Sequence, residues 1–147
     1  MADNQQQSFA NESTGTRHKS RELALYTLYA CEVGSTNQWY TMLDQIADSQ
    51  QRSSEVKKYA RELVQKVLQQ TDTIDEVLTS KAQNWELKRM ATIDRNVLRI
   101  AVAELRFFPQ VPFKVVIDEA VEIAKTFGSE DSGKFVNGIL DSVHKQL

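Results

Sequence analysis

The residues best suited to chemistry lie near the C-terminus, in the stretch 127–140, which reads Phe-Gly-Ser-Glu-Asp-Ser-Gly-Lys-Phe-Val-Asn-Gly-Ile-Leu. One helix is expected to end there at Gly128, in a left-handed cap, because glycine tolerates that conformation. A second helix is expected to begin after Asp131, with Asp131 or Ser129 as its capping residue. The start of that helix leaves backbone N–H groups unpaired, which favours an anionic ligand.

The side chains at the start of this second helix suit single-stranded RNA. Phe135 lies about 100° from the centre of the helix's apolar face, so its ring is expected to be half exposed. Lys134 and Asn137 lie farther toward solvent. An aromatic ring stacks on a base, a lysine meets phosphate and an amide reads base edges. The alternative is structural: Phe135 closes the core, and Gly133 and Gly138 allow close packing.

A second candidate segment precedes the first strongly helical stretch. Residues 16–21 read Thr-Arg-His-Lys-Ser-Arg, and basic side chains at a helix N-terminus oppose the helix dipole. This cost favours an anionic partner, although a solvated helix start explains the segment equally well. Ser20 is expected to cap a helix that runs to Val33 and ends at Gly34. Residues 1–16 are polar and are expected to form a tail that is disordered when free.

Composition limits the classes of function. The chain has 147 residues, 18 basic and 20 acidic side chains and a formal net charge of −2. That balance argues against nucleic-acid binding by bulk charge alone but leaves room for a local basic patch. The single cysteine, Cys31, cannot form an internal disulfide, and no signal peptide or long apolar run is recognisable, so a cytoplasmic protein is expected. Catalysis, a metal and a cofactor are not expected, because no metal-ligand cluster or histidine-activated nucleophile is recognisable.

Helical periodicity dominates the chain and predicts an all-α fold of about seven helices in a single domain, residues 17–147. Residues 17–83 are expected to form a three-helix bundle, whose third helix continues past Thr71. Residues 84–147 are expected to form a second bundle. Its predicted helices are a short one at 85–90, one at 93–107 capped by Thr92, one that starts near Pro112, and the last one.

The helix at 93–107 carries two carboxylates in unusual places. Val97 and Leu98 belong to its apolar face, and Asp94 and Glu104 fall on or beside that face. Charged groups are rarely buried without partners. Ion-paired structural groups are therefore the first interpretation, and a catalytic carboxylate pair is the weaker one.

Four segments resemble those of the NusB family of bacterial transcription antitermination factors and follow one another in the family's order. From the N-terminus they are Arg21-Glu-Leu-Ala-Leu-Tyr-Thr-Leu-Tyr29, Ile93-Asp-Arg-Asn-Val-Leu-Arg-Ile-Ala-Val-Ala-Glu-Leu105, Val111-Pro-Phe-Lys-Val-Val-Ile-Asp-Glu-Ala-Val-Glu-Ile-Ala124 and the stretch 127–140. The resemblance implies two packed helical bundles and no catalysis. It implies binding of boxA-type single-stranded RNA of ribosomal RNA operons, jointly with NusE, a small-subunit ribosomal protein. It also implies an indirect link to the elongating RNA polymerase.

The resemblance also assigns site residues. The RNA surface that it implies consists of Arg17, Lys19, Arg21, Asp131, Ser132, Lys134 and Phe135. The NusE surface that it implies consists of Tyr29, Asp94, Leu98 and Arg99. Under this assignment Asp94 is an exposed partner contact instead of a buried ion pair.

The chain departs from the family pattern at two places. The arginine run before the first helix is thinned to Arg17, His18, Lys19 and Arg21, so fewer phosphate contacts, a lower affinity for RNA and a shallower salt dependence are expected. Gly133 stands where other members can carry a bulkier polar side chain.

Two other classes of function stay open. A helical scaffold or homodimer that binds only protein would not contact RNA directly. An RNA cytosine methyltransferase is the enzyme alternative, because some of these enzymes carry a similar N-terminal domain. The sequence, however, shows no glycine-rich cofactor loop, no strand pattern and no second cysteine.

Overall fold

The computed structural model describes the backbone of residues 2–82 and 87–146, and the side chains in these ranges from Gly15 onward except that of Lys88. Over these ranges it contains seven α-helices and no strand, which confirms the predicted all-α fold. The helices are α1 (Ala2–Val33), α2 (Trp39–Ser49), α3 (Ser54–Gln69), α4 (Thr71–Lys81), α5 (Thr92–Phe107), α6 (Phe113–Phe127) and α7 (Ser132–His144). A short 3-10 turn spans Leu87–Arg89. No helix in the described ranges is both long enough and apolar enough to cross a membrane.

The chain divides into two compact units, residues 1–62 and residues 63–147. The predicted boundary at 83/84 falls on residues 83–86, which lie outside the described residues. Residues 85 and 86, the first two of the predicted short helix at 85–90, lie outside them as well. Helix α4 groups with the C-terminal unit because it packs against α5 and α7. The sequence pattern had placed the same residues in the first bundle.

In the N-terminal unit, α1 and α2 pack against each other through apolar side chains. Leu23 and Leu28 of α1, and Leu43 and Ala47 of α2, are buried. In α2 the buried residues are four apart, as on one face of an amphipathic helix, whereas in α1 the consecutive residues Leu23, Ala24 and Leu25 are all buried, so burial is not confined to one stripe.

Ser20 does not cap α1, because α1 begins at Ala2 and Ser20 lies within it. Its side chain is fully buried, and its hydroxyl lies 2.8 Å from the carbonyl oxygen of Val56 and 3.0 Å from that of Thr16. The predicted helix start was therefore wrong, since this serine bonds within the unit instead of to a helix end. Disorder of residues 1–16 in the free protein stays a prediction, and the side chains before Gly15 lie outside the described ones.

The predicted continuity past Thr71 was also wrong, because the helix breaks at Gln70, whose φ and ψ are −115° and 22°. The hydroxyl of Thr71 lies 2.6 Å from the carbonyl oxygen of Val67. In an unbroken helix that carbonyl would accept the N–H of Thr71, so the hydroxyl substitutes for a backbone bond at the break.

In the C-terminal unit, α5 is the central helix and packs against α4, α6 and α7. Its buried residues include Val97, Leu98 and Glu104. Thr92 is the first residue of α5 and not its cap, since Ala91 holds the N-cap position and makes no side-chain capping bond. Helix α6 packs against both α5 and α7, so it fixes where α7 begins relative to α5.

Candidate nucleic-acid interface

In the turn between α6 and α7, the backbone of Gly128 packs closely against the side chain of Ser132. Gly128 has φ −97° and ψ −159°, an extended conformation, so the predicted left-handed cap was wrong. A Cβ atom at Gly128 would lie 2.7 Å from the carbonyl oxygen of Ala124 and 2.8 Å from Cβ of Ser132. Glycine is needed here for space and not for a positive φ.

Ser132, the first residue of α7, stabilises the turn from inside the helix. Its hydroxyl oxygen accepts a hydrogen bond from the N–H of Ser129 at 2.9 Å and lies 3.1 Å from the Ser129 hydroxyl. Asp131 holds the N-cap position, but its side chain makes no capping bond. Neither predicted cap therefore works as expected: Ser129 donates its N–H to the hydroxyl of Ser132, and the carboxylate of Asp131 is exposed.

The side chains of the first turn of α7 point as the periodicity predicted. Phe135 is half-buried, and Lys134 and Asn137 are exposed. A half-exposed aromatic ring can stack on a base, and the exposed lysine next to it in sequence can meet a phosphate. Ser132, which the resemblance placed on the RNA surface, is instead buried.

A pocket of about 330 Å³ opens where the starts of α5 and α7 meet. Its lining residues are Arg89, Met90, Ala91, Asp94, Ser129, Asp131, Ser132 and Phe135. The pocket therefore joins three residues of the predicted RNA set to Asp94 of the predicted NusE set. Sequence reasoning missed Arg89, Met90 and Ala91, because their only signal was a position just before a predicted helix start.

Asp94 is buried, with 9% of its surface exposed, and it lines this pocket. Its Oδ1 atom has no hydrogen-bond partner among the described residues. The ion pair expected for Asp94 is likewise absent from the part of the chain that the structure describes. Glu104 is buried almost completely, a point that the sequence alone left open.

The remaining residues of the predicted NusE set differ in their exposure. Tyr29 is 41% exposed and can contact a partner. The guanidinium of Arg99 binds both carboxylate oxygens of Asp75, with Nε to Oδ1 and Nη2 to Oδ2 at 2.8 Å each. Leu98 is fully buried, which confirms its place on the apolar face and leaves no exposed surface for a partner contact in this structure.

The basic segment of α1 belongs to the N-terminal unit. Lys19 is exposed, and the guanidinium of Arg17 lies 4.6 Å from the ring centre of Tyr59. His18 Nε2 lies 3.6 Å from a carboxylate oxygen of Glu22. Arg21 is only 2% exposed, so it offers little surface for a phosphate contact in this structure.

Two observations concern thiol reactivity and metal binding. Burial raises the pKa of the Cys31 thiol, which lowers its thiolate fraction at neutral pH and agrees with a structural role. Among the described residues no group of three or more histidine, cysteine or acidic side chains could hold a metal ion.

Comparisons with known proteins agree on one family. The model of the NusB family matches residues 18–145. Transcription antitermination protein NusB of Geotalea daltonii is 42% identical over 139 residues, covering 90% of this chain and 96% of that protein. The same-named protein of Myxococcus xanthus is 42% identical over 132 residues, covering 88% and 94%.

Solved structures give the same result. T. maritima NusB superimposes with a TM-score of 0.82 at 37% identity, covering 88% of this chain and 91% of that one. A chain from the crystal structure of antitermination factors NusB and NusE in complex with dsRNA superimposes with a TM-score of 0.82 at 26% identity, covering 90% and 98%. Fold, sequence and coverage thus lead to one conclusion: this chain belongs to the NusB family.

Proposed function

We propose that this protein is a non-enzymatic RNA-binding antitermination factor. It binds boxA-type single-stranded RNA of ribosomal RNA operons together with NusE and promotes processive transcription in the cytoplasm. Family membership supports the class, since the relatives are named transcription antitermination proteins. A similar solved chain, in a complex with NusE and dsRNA, supports both kinds of partner.

The observation that carries the proposal is the pocket beside Phe135. A base stacks on the half-exposed Phe135 ring, and the exposed carboxylate of Asp131 accepts hydrogen bonds from base amino groups. Lys134, exposed next to the ring, meets the adjoining phosphate. Ser132 contributes indirectly, because its hydrogen bond with Ser129 fixes the turn on which Asp131 lies.

The basic segment supplies further phosphate contacts through Arg17 and Lys19. Arg21 is buried and is left out of the contact set. With so few cations, the protein alone binds RNA modestly, and its affinity falls gently with salt. NusE is therefore needed for tight binding.

NusE contacts Tyr29 in the N-terminal unit and, in the C-terminal unit, Asp94, which lines the pocket. Tyrosine is enriched at protein interfaces, because it buries a large apolar area and keeps a polar tip. We leave Leu98 and Arg99 out of this surface, since one is buried and the other is paired with Asp75. The complex links the RNA to the elongating polymerase.

The test of the RNA site is the substitution Phe135→Ala, with binding of a short fluorescent boxA-like RNA measured by anisotropy. Loss of one base–aromatic stack is expected to weaken binding by about 1–3 kcal/mol. Phe113→Ala is the matched control, because Phe113 is 50% exposed at the opposite end of α6. Equal affinities for the wild type and Phe135→Ala, with both folded by circular dichroism, would refute the site.

A second candidate is a protein-binding scaffold or homodimer that does not contact RNA directly. Exposed apolar side chains on the last turns of α1 favour it, since Tyr29 is 41% and Val33 65% exposed. Exposed apolar groups that cluster are typical of interaction surfaces. Light scattering over a range of concentrations separates this candidate, because a homodimer doubles the molar mass and RNA binding alone does not.

A further inference from the structure

Lys125, near the end of α6, covers the first turn of α7 at Gly133. A Cβ atom built on Gly133 would lie 2.9 Å from Cγ and 3.0 Å from Cε of Lys125. The first distance is shorter than real Cβ atoms show and the second is tighter than most, so the lysine would have to shift. The aliphatic stem of Lys125 therefore occupies the space that a side chain at position 133 would fill.

This packing places a cation at the first turn of α7. The ammonium group is one covalent bond beyond Cε, so it lies near Gly133. Residues 133 and 135 are about 200° apart around the helix, so Lys125 and Phe135 flank α7 on opposite sides, with the exposed Lys134 between them. Lys125 is exposed, and within the described residues no salt bridge occupies its ammonium. A lysine can bury its stem on a surface while its charged end stays in water.

We propose that Lys125 is a phosphate contact for RNA and that Gly133 is the residue that lets it reach this position. The proposal rests on the proposed function and deepens it by adding a residue that lies outside the 128–138 turn. It assigns to Gly133 a role at the site: the missing side chain makes room for a lysine from the neighbouring helix. Lys125 thereby offsets part of the thinning of the basic segment in α1.

The first test is the salt dependence of RNA binding by Lys125→Gln. Each phosphate neutralised on a single strand contributes about 0.7 to the slope of log affinity against log salt. The variant is therefore expected to bind about eightfold more weakly at 50 mM salt and about threefold more weakly at 200 mM. Lys114→Gln is the matched control, because Lys114 is an exposed lysine at the other end of α6.

The second test asks whether Gly133 acts through Lys125. Gly133→Ala is expected to displace the lysine stem and to lower both the affinity for RNA and the salt slope. In the Lys125→Gln background the same substitution is expected to have little further effect on binding. Gly138→Ala is the control, because a Cβ atom there would meet nothing within 4 Å.

The outcomes separate this inference from the proposed function. If the wild type binds RNA and Phe135→Ala weakens binding, but Lys125→Gln keeps the wild-type salt slope, Lys125 only covers the helix and the inference is wrong. The inference is equally wrong if Gly133→Ala weakens binding as much in the Lys125→Gln background as in the wild type. If the wild type does not bind RNA at all, the proposed function itself fails.

Discussion

At the scale of the residue, the sequence predicted on which side of a helix a side chain lies. It did not predict which side chains other helices bury. Periodicity placed Phe135 at the edge of the apolar face, and the structure confirms a half-buried ring. The same reasoning placed Leu98 on the apolar face, where it is fully buried. Arg21 and Ser132 have polar side chains that usually face water, yet both are buried, because neighbouring segments that no local pattern reveals cover them.

Arg99 is a charged residue whose guanidinium is already paired with a carboxylate inside the protein. Its bidentate pair with Asp75 joins α5 to α4 inside the C-terminal unit. Arg99→Gln is expected to lower the free energy of unfolding by about 1–3 kcal/mol, because hydrogen bonds between charged groups are lost. Urea denaturation measures this change.

Lys145→Gln is the control for that prediction. Its partner is Asp141, and the two side chains are 73% and 57% exposed, so the loss of this pair is expected to change stability by less than about 0.5 kcal/mol. A variant Arg99→Gln that keeps its stability but loses affinity for NusE would show that Arg99 faces the partner.

At the scale of the element, the sequence predicted where most helices lie but not how the residues near their ends are bonded. The spans of α5, α6 and α7 lie within one or two residues of those predicted. Ser20, Thr71 and Gly128 were each read as signals for the end or the continuation of a helix. Ser20 instead bonds to Val56, and Thr71 bonds to Val67 across a break. Gly128 does end α6 as predicted, but in an extended conformation that makes room for Ser132.

Gly128 and Gly138, at the two ends of the 128–138 turn, are expected to respond to substitution by alanine in opposite ways. Gly128→Ala is expected to lower the free energy of unfolding by about 1–3 kcal/mol, because the new Cβ overlaps the carbonyl of Ala124 and the side chain of Ser132. Gly138→Ala is expected to raise it by about 0.5–1 kcal/mol, since Gly138 lies inside α7 with open space around it. Urea denaturation distinguishes the two, and destabilisation by both substitutions would contradict the packing described here.

At the scale of the whole molecule, the fold class and the family could be predicted from the sequence, whereas the division at 83/84 stays a prediction. Four family-like segments in order predicted the NusB family, and the match over residues 18–145 confirms it. The grouping of α4 with the C-terminal unit depends on packing against α5 and α7, which are separated from it in sequence. A formal net charge of −2 leaves RNA binding dependent on a few placed cations, so a second protein is expected to complete the binding surface.

The most direct test of the central claim is the affinity for a boxA-like RNA with and without NusE, for the wild type and Phe135→Ala at one fixed salt concentration. We expect NusE to tighten wild-type binding by at least about fivefold, a coupling free energy of about 1 kcal/mol. We expect Phe135→Ala to weaken RNA binding in both conditions and to bind NusE normally without RNA. If NusE binds while the RNA binds under neither condition, the protein is a protein-binding scaffold, and the assignment of the RNA site to Phe135 is wrong.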